Sequence, residues 1–176
     1  FPDIKDRVIT INGVSKGFAM TGWRGGIMAA PKWIAQACDK MQGQFTSGTC
    51  SITQKAMHAA MELPAESTHY MRDAFLNRRN LVLELMKEIP GFKTNVPDGA
   101  FYVYPEVSAL FGKSYNGFTI NNATDLSMFL LDVAHVALVP GAAFGDDKYI
   151  RFSYATSEDK LTEALKRMKE AIEKLK

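Results

Sequence analysis

Five stretches of the chain carry apolar residues at helical spacing, and each predicts an α-helix. They cover residues 32–41, 51–63, 68–89, 124–133 and 156–175. The third is the longest and ends where a Pro-Gly pair cannot continue a helix. The last shows the clearest apolar stripe, formed by Leu161, Leu165, Met168, Ile172 and Leu175.

Four shorter segments predict β-strands. Residues 8–11 are rich in β-branched side chains and bounded by turn residues, so we expect an interior strand there. Residues 101–104 and 136–139 are also expected to be strands, which gives the second half of the chain an α+β pattern. Residues 149–154 alternate between two faces. One face holds Ile150, Phe152 and Tyr154, and the other holds Tyr149, Arg151 and Ser153.

Side chains whose oxygens can accept a hydrogen bond from the first helical turn predict where three of the helices begin. Ser51 is expected to cap the second helix, and Thr124 or Asp125 the fourth. Thr156 and Asp159 resemble a capping box at the start of the fifth.

The composition is typical of a globular protein, with 47% apolar and 23% charged residues among 176. The net charge of +2 (21 basic minus 19 acidic) gives no electrostatic basis for a nucleic-acid or membrane partner. The cysteines, Cys38 and Cys50, are too few for a disulfide framework, so a reducing, cytoplasmic setting is expected. The longest apolar run, residues 128–139, is too short to span a bilayer. The histidines lack metal-ligand spacing, and no metal site is expected.

Lys16 and Arg24 follow the first predicted strand and are candidates for chemistry. A lysine amine can form an imine with an aldehyde, and an arginine flanked by glycines offers a charged planar fork to an anion. An aldehyde that carries a phosphate satisfies both residues. Pyridoxal phosphate is such a molecule, and its enzymes hold it by a lysine Schiff base and a phosphate site.

Four motifs, in order along the chain, resemble those of class I aminotransferases of the pyridoxal-phosphate fold type I superfamily. They occupy residues 12–24, 97–103, 139–141 and 150–157 and read NGVSKGFAMTGWR, PDGAFYV, VPG and IRFSYATS. The resemblance is closest to the bacterial aspartate aminotransferase subgroup and covers essentially the whole chain. Four ordered motifs are far more specific than one.

The resemblance implies an α/β fold, namely the C-terminal part of the pyridoxal-phosphate-dependent transferase (aspartate aminotransferase-like) fold. Residues 1–67 would form the end of the large cofactor-binding domain, residues 68–90 a long connecting helix, and residues 91–176 the α+β small domain. Members of the family are much longer, with most of the additional length before the lysine. The chain is therefore expected to be the C-terminal portion of a larger protein.

The resemblance also implies roles for individual residues. Lys16 would hold the cofactor as a Schiff base and then move a proton between the substrate Cα and the cofactor. Arg24 would clamp the phosphate, and Arg151 would bind the substrate α-carboxylate through two parallel hydrogen bonds. Ser15 either donates to the phosphate or closes the turn. Gly13 stands where many relatives have a serine. For each charged side chain the alternative is an ordinary solvated position.

The implied reaction is transamination by a ping-pong mechanism, in which an L-amino acid gives its amino group to the cofactor and a 2-oxo acid collects it. Aspartate with 2-oxoglutarate is the first choice of substrates, on subgroup resemblance alone. The polar segment 42–49 is predicted to be a loop. In the resembled family the loop corresponding to residues 44–49 lies near the dimer interface, so a homodimer is expected.

Two other functions stay open. Residues 13–17 read GVSKG and match the nucleophile elbow of serine hydrolases, with Ser15 as nucleophile and His135 as the late histidine. An elbow should lead directly into a helix, and the glycine-rich segment 21–26 is a poor one. Alternatively, the chain is a non-catalytic piece that only folds or dimerises, because the family's pyridine-nitrogen aspartate, ring-stacking aromatic and phosphate loop would all precede Phe1.

Overall fold

The computed structural model describes residues 2–176, which divide into two compact units. One unit ends at Tyr70, and the other runs from Met71 to Lys176. The boundary falls in the first turn of the longest helix, which begins at His69. None of the described helices has the length and apolar run that a bilayer crossing requires.

The first unit is built on a two-stranded hairpin followed by two helices. Its main elements are β1 (Thr10–Gly13), β2 (Gly26–Ala29), α1 (Lys32–Phe45) and α2 (Ser51–Glu62). Short 3-10 helices cover Pro2–Arg7, Thr21–Trp23 and Ala65–Thr68. The two strands pair antiparallel, with Gly13 opposite Gly26. The segment between them carries Lys16 and Arg24.

The hairpin strands are exposed, so the interior strand predicted at residues 8–11 is wrong in both position and burial. Every residue of β1 and β2 is exposed, and Ile11 is 79% exposed. β-branched residues favour the extended conformation, whereas burial depends on which faces other elements cover. The apolar cluster of this unit comprises Val14, Met57 and Ala60, with Phe18 and Met20 packed against it.

The helices of the first unit also differ from the prediction at their ends. α1 continues through residues 42–45, where the sequence predicts a loop. The Thr46 N–H donates to the Gln42 carbonyl at 2.9 Å and ends the helix. Each residue added to a helix gains one backbone hydrogen bond, so α1 extends beyond residue 41, where its predicted apolar stripe ends. α2 starts at Ser51 itself. Cys50 holds the capping position and makes no side-chain capping hydrogen bond, so Ser51 is not the cap.

The second unit packs three helices and an antiparallel sheet around a continuous core. Its main elements are α3 (His69–Met86), β3 (Tyr102–Val103), β4 (Ser114–Tyr115), β5 (Phe118–Thr119), α4 (Ala123–Ala134), β6 (Val139–Pro140), β7 (Ile150–Ser153) and α5 (Glu158–Ile172). The three-stranded sheet has the order β3-β7-β6, so β7 is central. α4 contacts both α5 and β6. Core residues include Val82, Met86, Leu126, Leu130, Leu165 and Met168.

The alternation predicted for β7 and the stripe predicted for α5 are confirmed. Ile150, Phe152 and Tyr154 are buried, while Arg151 and Ser153 lie on the other face of the sheet. All five residues of the α5 stripe are buried.

The predicted caps of α4 and α5 are wrong. Asn122 caps α4, because its Oδ1 accepts a hydrogen bond from the Asp125 N–H at 2.9 Å. Asn122 is extended (φ −158°, ψ 178°), as a residue that flanks a helix start must be. α5 follows Ser157 without a side-chain capping hydrogen bond, so the box of Thr156 and Asp159 does not form.

Candidate active site

Lys16 lies on a tight turn directly after β1. The Phe18 N–H bonds to the Val14 carbonyl and the Ala19 N–H to the Lys16 carbonyl, both at 3.2 Å. Ala19 has a φ of +54°, which helps the chain to reverse. Val14 is 3% exposed and anchors the turn, whereas Lys16 is exposed. The fold therefore presents the lysine side chain at the surface from an anchored backbone.

Ser15 is half-buried beside the lysine, and its hydroxyl makes no hydrogen bond to any other residue among 2–176. After the turn come the three-residue 3-10 helix Thr21–Trp23 and then β2, and the next α-helix begins at Lys32. A nucleophile elbow requires a helix directly after the serine. His135 ends α4 in the second unit, with a φ of +55°. The geometry around Ser15 does not match the serine-hydrolase arrangement.

Arg24 ends the 3-10 helix in a left-handed conformation. Its φ is +53°, which is unusual for a residue with a side chain. One guanidinium nitrogen, Nη1, donates to the Thr21 carbonyl at 2.9 Å. The side chain is exposed. Sparsely populated backbone conformations cluster at functional sites, and this one fixes the direction in which the guanidinium leaves the chain.

The segment that carries Arg24 is tied to α2. The Thr53 hydroxyl donates to the Trp23 carbonyl at 3.0 Å. A Cβ at Gly25 would meet the Met57 sulfur and would lie 2.9 Å from Thr53 Cγ2. Without a Cβ, Gly25 lets the backbone approach the helix closely while Met57 and Thr53 keep their positions.

An open depression of about 660 Å³ lies between the Arg24 segment and the start of α2, with Trp23, Arg24, Cys50 and Thr53 among its walls. The backbone N–H groups of Thr53 and Ile52, in the first turn of α2, lower the pKa of the Cys50 thiol. The unpaired N–H groups at the start of α2 favour negative charge there. Arg24 adds a permanent positive charge to the same depression, which therefore favours an anion. Lys16 and Ser15 do not line it.

The donor set of the first unit fits pyridoxal phosphate. The exposed Lys16 amine suits the aldehyde, and the depression with Arg24 and the start of α2 suits the phosphate. No group of three or more His, Cys, Asp or Glu among the described residues is arranged to hold a metal ion.

Arg151 lies on the central strand β7 of the second unit and is half-buried. Its Cζ lies 4.3 Å from the ring centroid of Tyr102 and 4.6 Å from that of Phe144. Within residues 2–176 its guanidinium makes no hydrogen bond and no ion pair. Its N–H donors therefore have no protein acceptor there, although two rings hold the group.

Sequence reasoning missed Tyr102 and Phe144 as neighbours of Arg151. Tyr102 pairs with Ser153 across β3 and β7, so it shares a sheet face with Arg151. The sequence predicts the alternation of β7, but it does not predict that β7 pairs with β3. Phe144 ends a 3-10 helix in a glycine-punctuated loop, where the sequence carries no periodic signal. Of the predicted site residues, Ser15, Lys16 and Arg24 lie in the first unit and Arg151 in the second.

Comparison with known proteins shows similarity to aminotransferases. The bifunctional aspartate aminotransferase and glutamate/aspartate-prephenate aminotransferase of Petunia hybrida is 48% identical over 179 residues, covering 99% of this chain and 37% of the relative. The aspartate aminotransferase of Rhizobium meliloti (strain 1021) is 42% identical over 175 residues, covering 99% of this chain and 43% of the relative. The chain thus spans less than half the length of these curated relatives.

Solved structures confirm the predicted fold class. The aspartate aminotransferase from Rhizobium meliloti superimposes with a TM-score of 0.96 at 41% identity, covering 100% of this chain and 44% of that one. The aromatic aminotransferase from Pyrococcus horikoshii OT3 gives a TM-score of 0.86 at 37% identity, covering 96% and 44%. The family model for aminotransferase class I and II matches residues 2–168. The chain belongs to this family, whose class I members use pyridoxal phosphate as cofactor.

Proposed function

We propose that the protein catalyses transamination between an L-amino acid and a 2-oxo acid, with aspartate and 2-oxoglutarate as the first-choice pair. The curated relatives that it resembles are named aspartate or aspartate/prephenate aminotransferases. The observation that carries the proposal is Arg151, a half-buried guanidinium whose N–H donors have no acceptor among the described residues.

Arg151 is the proposed receptor for the substrate α-carboxylate. A guanidinium presents a planar fork whose N–H groups match the two oxygens of a carboxylate. Both the amino acid and the 2-oxo acid carry that carboxylate beside the reacting carbon. One arginine therefore orients the substrate of each half-reaction in the same way.

Arg24 is the proposed phosphate clamp. It lies at the depression beside the first turn of α2, and both features attract an anion. The Ser15 hydroxyl, which has no partner among residues 2–176, is a further donor for the phosphate. Together these groups would orient the cofactor ring without using the lysine.

Lys16 is the proposed covalent attachment point and proton carrier. When bound, the cofactor supplies an aldehyde for attachment and a ring that delocalises the electron pair left at the substrate Cα. Once the substrate amine has displaced it, the Lys16 Nζ would take the proton from the substrate Cα and deliver it to C4′ of the cofactor, so one side chain would serve as base and then as acid.

A homodimer is the proposed assembly. α1 buries none of its residues in the described chain, and several large apolar side chains of α1 and α2 are exposed. Trp33 is 71% exposed, Phe45 79% and Ile52 70%. Exposed apolar surface of this extent is typical of a protein contact. Sedimentation of the natural protein that contains this chain tests the proposal, and a monomer at micromolar concentration would contradict it.

The activity is tested by initial rates over a panel of amino acid and 2-oxo acid pairs, measured on the natural protein that contains this chain. We expect aspartate with 2-oxoglutarate to be among the fastest pairs. Arg151→Lys should raise KM for both substrates roughly 10- to 100-fold, because it removes a bidentate charge-assisted contact. Arg167→Lys on α5 is the matched control and should leave KM unchanged. Equal KM values for Arg151→Lys and the unsubstituted protein would remove Arg151 from the proposal.

A further inference from the structure

Two aromatic rings hold the Arg151 guanidinium, and no acidic side chain among residues 2–176 forms an ion pair with it. The Tyr102 and Phe144 ring centroids lie 4.3 and 4.6 Å from its Cζ. A carboxylate neighbour would occupy the same N–H donors that a substrate needs. Ring faces attract a cation through their quadrupole and accept no conventional hydrogen bond, so they restrain the group while its donors stay available.

Tyr102 is held in place by the backbone around it. It lies on β3, opposite Ser153 of β7. The turn before β3 contains Ala100 at a φ of +63°, and the hydroxyl of the buried Tyr154 donates to the Ala100 carbonyl at 3.1 Å. The strand that presents the Tyr102 ring is thereby anchored to the core.

Phe144 is held by a second aromatic group instead of by burial. Its ring meets Tyr104 edge-on, with centroids 6.1 Å apart and an interplanar angle of 83°. Tyr104 in turn stacks on Tyr149 at 4.9 Å and donates from its hydroxyl to the Gly141 carbonyl at 3.4 Å. Phe144 is nevertheless 51% exposed. The hydrophobic core therefore does not account for its position over Arg151.

We infer that Tyr102 and Phe144 are positioning residues that fix the Arg151 guanidinium in the orientation in which it receives a substrate carboxylate. The inference rests on the proposed role of Arg151. Arginine side chains have many rotamers, and ordering one upon binding weakens affinity. Two rings that restrict the rotamers beforehand remove much of that cost. They act on carboxylate binding and do not touch the reacting carbon.

The first test is steady-state kinetics of Phe144→Leu in the natural protein that contains this chain. Because the Phe144 side chain is half exposed, we expect Phe144→Leu to fold. KM for the amino acid and for the 2-oxo acid should rise together by about tenfold, with kcat little changed. Phe144→Tyr keeps a ring and should restore KM. Phe118→Leu, at another exposed aromatic residue, is the matched control and should change neither constant.

The second test follows the Arg151 guanidinium directly by NMR. With 15N-labelled arginine, the Arg151 Nε–Hε signal, assigned by its loss in Arg151→Lys, should shift and exchange faster with water in Phe144→Leu and Tyr102→Leu. Phe144→Tyr and Tyr102→Phe should keep the signal of the unsubstituted protein. If Phe144 and Tyr102 only stabilise the fold, their leucine variants should have a lower melting temperature but the same Arg151 Nε–Hε signal and the same KM as the unsubstituted protein.

The outcomes separate this inference from the proposed function. If Arg151→Lys raises KM while both ring-to-leucine variants keep the original KM and Nε–Hε signal, the positioning role is overturned and the receptor role stands. If Arg151→Lys leaves KM unchanged, the receptor role fails, and the positioning role falls with it. Raised KM in both leucine variants, restored by the aromatic replacements, supports the inference.

Discussion

The two units contain similar kinds of element but very different interiors. In the second unit, α3, α4, α5 and the sheet bury one continuous apolar core. In the first, the buried apolar cluster comprises Val14, Met57 and Ala60, and α1 buries no residue. Both units carry amphipathic sequence patterns. The difference teaches that such a pattern predicts an element, whereas burial requires a covering partner, which α1 lacks among the described residues.

The same contrast applies to the candidate site. The proposed carboxylate receptor lies on the central strand of the densely packed unit, and the strand of one neighbouring ring, Tyr102, is anchored to that core. Lys16 and Arg24 lie on turns of the sparsely packed unit. Functional groups on turns depend on a rigid scaffold for their position. We therefore expect Arg151 to be ordered in this chain by itself to a greater degree than Lys16 is.

The largest contrast is expected from truncating one apolar side chain in each unit. Leu165 on α5 is 2% exposed, so Leu165→Ala should lower the free energy of unfolding of the second unit by about 2–5 kcal/mol. Ile11 on β1 is 79% exposed, and Ile11→Ala should change stability by no more than about 0.5 kcal/mol. Residue-resolved hydrogen exchange in urea measures both. Equal effects of the two substitutions would contradict the difference in packing.

An intermediate contrast is expected from adding a Cβ to a crowded glycine in each unit. A Cβ at Gly141 would meet the Asp146 carbonyl oxygen and lie 2.5 Å from that of Tyr149. Backbone atoms cannot move aside, so Gly141→Ala should cost about 1–3 kcal/mol in thermal unfolding.

The matched substitution, Gly25→Ala, should cost less. There the nearest atom is the sulfur of Met57, at the end of a flexible side chain. Combining Gly25→Ala with Met57→Ala should relieve the clash, which appears as a favourable coupling in a double-mutant cycle. If Gly25→Ala lowered stability more than Gly141→Ala, the claim that a clash with backbone atoms costs more than a clash with the Met57 side chain would be contradicted.

The smallest effect is expected from the exposed ion pair that joins α5 to the end of α3. Lys169 Nζ lies 3.0 Å from Glu88 Oε2. The hydrogen bond to Glu88, and then its charge, raise the pKa of Lys169 above the ordinary 10.5. A raised pKa stabilises the fold fully below the unfolded-state pKa and loses that contribution as the pH rises through the folded-state pKa.

The test compares Lys169→Met with the unsubstituted protein. A slight loss in melting temperature is expected at neutral pH, and the difference should vanish at pH values above the raised pKa. Lys166→Met on the same helix is the control, because its pair with Glu170 is longer, at 4.0 Å. A difference that grows with pH would contradict the assigned direction of the shift.

Sequence patterns predicted the helices and the buried faces of α5 and β7 well, because their periodicity is local. The short strands were predicted less well: β6 is Val139–Pro140, whereas a strand was expected at residues 136–139. The α5 stripe and the alternation of Ile150 and Phe152 on β7 were both readable. The exposed Ile11 was predicted to be interior, because a strand pattern does not reveal what covers it. The α4 cap was predicted two or three residues too late, at Thr124 or Asp125 instead of Asn122, since neighbouring polar residues compete for that role.

The candidate residues Ser15, Lys16, Arg24 and Arg151 came from ordered motifs, and their roles stay predictions. Family and fold class were predictable because four motifs recur in order, and both are confirmed. The contacts of Arg151 with Tyr102 and Phe144 depend on strand pairing and on a 3-10 turn. Neither the pairing of strands nor a 3-10 turn produces a periodic pattern in the sequence.

Covalent attachment of the cofactor at Lys16 is the central claim, and chemical trapping tests it most directly. The natural protein that contains this chain is incubated with pyridoxal phosphate, reduced with borohydride and mapped by peptide mass spectrometry. We expect a pyridoxyl group on Lys16 at near-stoichiometric yield, with Lys5 and Lys55 essentially unmodified and no equivalent adduct in Lys16→Ala. An unmodified Lys16, or equal labelling of these three lysines, would contradict the account.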